Sequence, residues 1–365
     1  MSFPIAAIIV NYHCAELTLR ASSSFFRECP NGHLTVVDNS ESPEEAQALA
    51  QKLPNGSQLL VNQVNTGFAA ACNSALDASD HEFVLLLNPD AYLLPGSLAV
   101  LRTALQMNSE FAAISPIQYW DHQKQWLLPP AWLPTGTSEW TLKLASANTR
   151  HAHRITQAAR ALAQKIWDAT PDSIVSQRAL SGGALLFRRA ALQGQVHLFD
   201  PDYFMYFEDS DLCTRLRRQG WQLGMACGAG VVHEWHHSNV KVQFMEASKH
   251  LFFQKHFHHK GQWEKRLEKL HAVSMLENPL SAKDLNWGTS ALSVPDAWQA
   301  GWLLEISPSP LLVPSIGHVG KGPLAQLDWH LFERISTPAL YIRLGPQGKG
   351  HQGDQVYRAE RPASH

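Results

Sequence analysis

Residues 83–90 read FVLLLNPD. Five consecutive apolar residues, Phe83 to Leu87, bounded by a turn signal, predict a β-strand covered on both faces. Pro89 has no N–H to donate and ends the ladder, so Asn88 and Asp90 stand at the carboxyl end of that strand.

Working outward toward the N-terminus, Ile5 to Val10, Leu34 to Val37 and Leu59 to Val61 are further short apolar runs. Helix-compatible stretches separate them: Ala15 to Phe26, Pro43 to Leu53, and Ala69 to Ala78. Strands alternating with helices predict βαβ units, a buried parallel sheet and an α/β fold. Each strand delivers polar residues at its end: Asn11, then Asp38 and Asn39, then Asn65, then Asn88 and Asp90. One such residue is an ordinary turn former. Four sets at one sheet edge point to a shared ligand site, because open α/β sheets bind ligands there. No G-x-G-x-x-G or G-K-[ST] element follows these strands, which argues against a dinucleotide dehydrogenase and a P-loop enzyme.

Composition narrows the class. The 365 residues, 45% hydrophobic and 17% charged, suffice for one large α/β domain and an appendage. A net charge of -2 gives no basic field, so no nucleic-acid partner is expected. Five cysteines, an odd number without C-x-x-C spacing, read as buried thiols of a reducing compartment. No apolar stretch nears the roughly 20 residues that span a bilayer, and no signal peptide is evident. A cytoplasmic location is expected, with peripheral membrane contact left open.

Pro129, Pro130 and Pro134 mark a loop, after which Trp140 to Trp167 reads as one helix within an insert at about 135–170. Its basic residues, Lys143, Arg150, Arg154, Arg160 and Lys165, read as a solvated face, or else as a surface for anionic lipid. Ala184 to Phe187 and Gln222 to Val232 are strand-like. Asp209 to Gln219 reads as a helix stopped by Gly220, and Val242 to about Leu270 as another. Residues 276–345 read as a small β-rich appendage with strands at Trp302–Ile306 and Ala339–Leu344, and 346–365 as a disordered tail. Trp287, Trp298, Trp302 and Trp329 would pack in its core, although tryptophans also stack on sugars.

Several residues could carry chemistry. Asp90 can ligate a hard cation that also binds substrate phosphates. Residues 204–218 read FMYFEDSDLCTRLRR, with Glu208, Asp209 and Asp211 where a helix should begin. Acidic residues favour a helix start, but three of them after Phe204, Tyr206 and Phe207 exceed what capping needs. One, desolvated by the aromatics, could act as a general base. His233, followed by His236 and His237, could complete a metal site begun by a carboxylate. Gly67 permits close backbone approach at the start of a helix that could hold a diphosphate, with Thr66 as its ordinary cap.

In order along the chain, Val10-Asn11-Tyr12, Val37-Asp38-Asn39-Ser40, Asn65-Thr66-Gly67-Phe68-Ala69 and Leu87-Asn88-Pro89-Asp90-Ala91 resemble family 2 glycosyltransferases. Ser181-Gly182-Gly183, Phe207-Glu208-Asp209-Ser210-Asp211-Leu212 and Val232-His233 continue the match, which spans Ile5 to Ser238 and is most similar to bacterial rhamnosyltransferase-type enzymes. The resemblance implies a GT-A fold over residues 1–275. It also implies inverting transfer from a nucleoside-diphosphate sugar, dTDP- or UDP-linked, to a glycan or lipid-linked acceptor. On that pattern Asp38 reads the base, and Asn11, Tyr12, Asn39, Asn65, Gly67, Phe68, Asn73 and Asn88 lie on the nucleotide side. Asp90 and His233 would hold Mg²⁺ or Mn²⁺, with Asn88 replacing the first Asp of the family's D-x-D motif. Asp209 would be the catalytic base with Glu208 beside it. Asp211 would support the site, and Ser181, Gly182 and Gly183 would form an acceptor-side loop. A catalytically degenerate nucleotide-sugar binder, a metal-dependent phosphohydrolase and a C-terminal carbohydrate-binding module are the competing readings.

Overall fold

A computed structural model describes residues 5–236, 239–257, 265, 268–269, 274–348 and 353–362. The N-terminal third follows the expected alternation: β1 (Ile5–Asn11), α1 (Ala15–Glu28), β2 (His33–Asp38), α2 (Pro43–Lys52), β3 (Ser57–Val61), α3 (Gly67–Asp77) and β4 (Phe83–Leu87). These strands lie parallel in the order β3-β2-β1-β4, and β1 and β4 are buried along their whole length. Helices on both faces cover them, which is why their sequences are continuous apolar runs.

Beyond β4 the sheet is mixed. β5 (Ala91–Leu93), α4 (Ser97–Met107), β6 (Phe111–Tyr119) and β7 (Trp126–Leu127) follow, then α5 (Gly136–Ser146) and α6 (Thr149–Trp167). β8 (Ile174–Gln177), β9 (Ala184–Arg188), α7 (Glu208–Arg218), β10 (Gln222–His233) and α8 (Asn239–Phe257) complete this part. β9 runs antiparallel between β4 and β6, so the parallel sheet expected of the first ninety residues continues into a mixed one. Periodicity cannot report strand direction, since a strand buried on both faces reads alike either way.

The insert is two helices, not one. The chain breaks at Ala147 and Asn148, and Asn148 caps α6 by accepting from the His151 N–H at 3.1 Å. Asn is a strong N-cap, and here its local bond outweighs continuation of the helix. Gly220, at φ 92°, lies in the left-handed conformation just past α7, as a helix stop requires. Within the helix read as Val242 to Leu270, residues 258–264, 266–267 and 270 lie outside the described residues, as does His237.

The C-terminal part is β-rich and prolongs the same sheet. It contains β11 (Lys283–Asp284), β12 (Ala291–Ser293), β13 (Trp302–Ser307), β14 (Ile316–Gly320), β15 (Leu324–Gln326), α9 (Trp329–Phe332), β16 (Ala339–Pro346) and β17 (Gln355–Glu360). β14 pairs with β7, which joins β13, β16 and β17 to the N-terminal strands. β12 and β15 form a separate two-stranded sheet. The tail at 346–365 is not disordered where described: β17 pairs with β16 over six residues. Val356 and Ala359 are buried there, and Arg343, Asp354 and Glu305 cluster nearby. That burial supplies the ordering energy its polar sequence conceals. Trp302 is buried, and Trp287, Trp298 and Trp329 pack against the same core, so the tryptophans serve packing.

Arg160 is corrected as well. It is 1% exposed and not on a solvated face. It pairs with Asp354 at 2.8 Å and donates to the Pro346 carbonyl at 2.6 Å, locking α6 to the C-terminal strands.

Candidate active site

The carboxyl edge of β1–β4 is built from paired polar side chains. The parallel register sets Asn11 beside Asp38, so Asn11 Nδ2 donates to Asp38 Oδ1 at 2.9 Å and to Glu45 Oε2 at 3.0 Å. Asn11 Oδ1 accepts from Thr18 Oγ1 at 2.8 Å. Fully buried and saturated, Asn11 orients Asp38 and offers no group to a ligand. Asp38 also accepts from the Ser40 N–H at 3.1 Å, and it is almost fully buried. Tyr12, by contrast, is 53% exposed at the rim.

The next segment is similarly tied. Asn39 Nδ2 donates to the Gly67 carbonyl at 3.0 Å, and its Oδ1 accepts from Asn62 Nδ2 at 2.6 Å. Thr66 makes no capping bond at α3. Instead Asn65 Oδ1 accepts from the Gly67 N–H at 3.0 Å, and the Phe204 carbonyl accepts from the Phe68 N–H at 2.8 Å. The first two amides of α3 are therefore occupied within the fold. Gly67, at φ 81°, has the Phe204 backbone where a Cβ would stand, so only glycine fits. Asn73 donates to the Phe199 carbonyl at 2.7 Å and accepts from the Phe199 N–H at 3.0 Å. Its amide fixes the 199 segment.

Strand pairing assembles the next part. The Asn88 N–H donates to the Gly183 carbonyl at 2.8 Å, which joins the end of β4 to the Ser181–Gly183 loop. β10 lies antiparallel to β5 with His233 opposite Ala91. His233 Nε2 consequently stands 3.2 Å from Asp90 Oδ1. On its far side, His233 Nδ1 lies 2.8 Å from Gln118 Oε1. Gln118 thus holds one ring nitrogen of His233 while the other faces the Asp90 carboxylate. A Cβ at Gly183 would lie 2.6 Å from the His233 ring, so that glycine makes room for the imidazole. Gln118 was not legible in the sequence, because only the β6–β10 pairing reveals it.

The catalytic candidates enter at α7. Tyr206 and Phe207 both have positive φ, 70° and 65°, which turns the chain sharply into the helix. That conformation is costly for bulky residues and clusters at functional sites. Asp209 Oδ2 accepts from the Gly182 N–H at 3.2 Å and its Oδ1 from the Ser210 N–H at 2.6 Å. Glu208 is buried beside it, with Oε2 lacking a hydrogen-bond partner. Burial first, and then the Asp209 charge, push the Glu208 carboxyl up to about 8. Asp209 is also raised, chiefly by burial, although the amides of Gly182 and Ser210 oppose this. Asp209 itself is only partly buried. A carboxylate so raised is a stronger base than one in water.

Asp211 differs from its neighbours. Burial would raise it, but His256 at 2.7 Å and Arg215 at 2.6 Å outweigh that and hold it below the ordinary value. It ties α7 to α8 and is a structural support. Ser181 Oγ accepts from the Gly183 N–H at 3.2 Å and shapes the loop. Tyr206 is the other residue that sequence reasoning left unassigned: burial and the charges of Glu208 and Asp90 raise its hydroxyl to about 12. Its position between those carboxylates follows from the positive-φ turn, which no local motif announces. Cys72 and Cys213 are buried and all five cysteines are free.

The model of the glycosyltransferase-like family 2 matches residues 4–253. The chain belongs to that family. The enzyme is thus a transferase with a GT-A fold, as the ordered motifs implied. Residues of this transferase are 29% identical over 245 positions to N-acetylglucosaminyl-diphospho-decaprenol L-rhamnosyltransferase of Mycobacterium tuberculosis, covering 60% of the chain and 71% of that protein. Among solved structures, a mannosyltransferase of Pyrobaculum calidifontis in complex with GDP-Man and Mn²⁺ aligns with TM-score 0.44 and 13% identity. That alignment covers 74% of this chain and 76% of the other. GalNAc-T7 with UDP, GalNAc and Mn²⁺ aligns with TM-score 0.48 and 14% identity, covering 98% and 67%.

Proposed function

We propose that this transferase inverts the anomeric centre as it moves a sugar from a dTDP- or UDP-linked donor to a glycan or lipid-linked acceptor of bacterial surface polysaccharide. The observation that carries the reading is the buried Glu208–Asp209 pair, with Asp209 held by the Gly182 amide at the cleft. Asp209 takes the proton from the acceptor hydroxyl as that oxygen attacks the anomeric carbon from the face opposite the leaving group. Inversion needs this one base and no enzymic nucleophile. Glu208 stays protonated near neutral pH and so spares Asp209 a second buried charge. A protein that only bound nucleotide sugars would have no use for such a base. On this reading residues 1–275 carry the chemistry and 276–345 brace them. Rhamnose as the sugar rests on likeness to the mycobacterial relative.

Among the described residues no group of three or more His, Cys, Asp or Glu is arranged to hold a metal. Asp90 and His233 nevertheless fit a shared divalent cation, Mg²⁺ or Mn²⁺, because the His233 imidazole and the Asp90 carboxylate converge and substrate phosphates commonly complete such a site. When bound, that cation would neutralise charge on the departing nucleoside diphosphate. No helix among the described residues is long and apolar enough to cross a membrane, so a lipid-linked acceptor implies peripheral contact with the membrane face.

Isothermal titration with UDP, dTDP and GDP, each with and without Mn²⁺, tests the reading. One nucleotide should bind in a metal-dependent way, and Asp90→Ala should weaken it at least tenfold. A folded protein that binds none of the three refutes the proposal.

A further inference from the structure

A second cleft, of about 630 Å³, lies behind the catalytic helix. Arg178, Arg217 and Arg218 stand on its walls, and no Asp or Glu is among the described residues that line it. Arg215, on the same helix, is neutralised by Asp211 at 2.6 Å. Arg218 donates only to the His256 carbonyl, at 3.3 Å. Arg178 and Arg217 make no ion pair among the described residues, and both are exposed. Three guanidinium groups around one cavity repel one another until an anion enters. The first turn of α5, capped by Thr135, lines the cleft as well. Leu133 and Phe257 give it an apolar rim.

We propose that this cleft holds the diphosphate of the acceptor substrate, an inference that rests on the transferase reading. Guanidinium forks match phosphate oxygens in pairs, and two or three of them suit a diphosphate better than a single carboxylate. The placement fits the chemistry. Arg217 follows Asp209 by eight residues on α7, which is roughly 12 Å of helix rise. Arg178 precedes the Ser181–Gly183 loop, whose Gly182 amide holds Asp209. The two walls of the cleft are thus continuous with the two segments that form the base. A diphosphate anchored there would present the attached sugar toward Asp209, and the apolar rim would receive the start of a hydrocarbon chain.

The test is isothermal titration of the full chain with inorganic pyrophosphate in EDTA, so that no cation draws the ligand to Asp90. The wild type should bind. Arg178→Ala with Arg217→Ala should weaken binding at least tenfold, Arg178→Lys with Arg217→Lys should recover part of it, and Asp90→Ala should leave it unchanged. Melting curves establish that each variant is folded. Equal affinity in the wild type and the double alanine variant, or no binding to the wild type, overturns the proposal. A parallel titration with farnesyl diphosphate separates the sources. Tighter binding than pyrophosphate, lost with the arginines, identifies a lipid-carried diphosphate, and equal affinity identifies a soluble phosphate ester. Nucleotide binding with Mn²⁺ is measured on the same proteins. If it is absent from all of them the transferase reading falls, while the pyrophosphate result still judges the cleft.

Discussion

Charge is buried in two regions of this molecule, the middle of the C-terminal strands and the start of α7, and the two regions treat it differently. In the first, Glu305 of β13 faces Arg343 of β16 across the ladder and accepts from it at 2.7 Å. Arg160 reaches the same group from α6 and takes Asp354 as its own partner. Each carboxylate meets a guanidinium. In the second region the carboxyl groups of Glu208 and Asp209 lie side by side, both raised, and Glu208 Oε2 has no partner. Opposite charges join elements of the fold. Two adjoining buried carboxyl groups cannot both ionise without cost, and groups perturbed in this way cluster at functional sites.

That contrast can be broken most sharply at Asp209. Asp209→Asn should lower turnover by about 10²–10⁴-fold while the melting temperature holds or rises, because the variant no longer buries a carboxylate charge. Undiminished turnover would strip Asp209 of its role. The C-terminal cluster should respond in the opposite sense. Arg160→Met leaves Glu305 and Asp354 short of a partner, and loss of one member of a buried ionic group costs about 3–5 kcal/mol. Thermal denaturation should then occur several degrees lower while nucleotide affinity is unchanged; an unaltered melting curve would show that the cluster joins nothing.

The smallest effect concerns pH. Glu208 has a folded value of about 8, above its ordinary 4.5. The native state therefore holds this proton more tightly than the unfolded chain. The stability it contributes is full below about pH 4.5 and is lost as pH rises toward 8. Glu208→Gln should flatten that decline and melt higher than the wild type above pH 8, on the order of a few kcal/mol. If wild type and variant decline in parallel, Glu208 is not held protonated.

How much of this was legible beforehand depended on the range of the interactions. The strands at Ile5, Leu34 and Phe83 and the helices between them were readable because an apolar run or a helical period is a local property. The Asp209 helix start, its Gly220 stop and the Asp90 turn were readable for the same reason. β6 was missed, since Phe111–Tyr119 carries Ser115, Pro116 and Gln118 among its apolar residues. Arg160 was misread because an arginine at a helical position looks solvated until its partners, almost 200 residues away in the chain, are known. Asn73 and Asn11 likewise looked like ligand contacts, and folding uses both as internal braces.

The amino-acid sequence alone determined the family, the order of strands and helices along β1 to β4, and the identity of the acidic and histidine residues at the cleft. The strand and helix order follows from composition and spacing within a few residues, and the family from the resemblance of the ordered motifs. Tertiary structure decided the antiparallel β9, the approach of His233 to Asp90, the bond from Gly182 to Asp209 and the arginine cleft behind α7. Each of these needs segments far apart in the chain to meet, and burial and strand pairing, not local propensity, set where they meet.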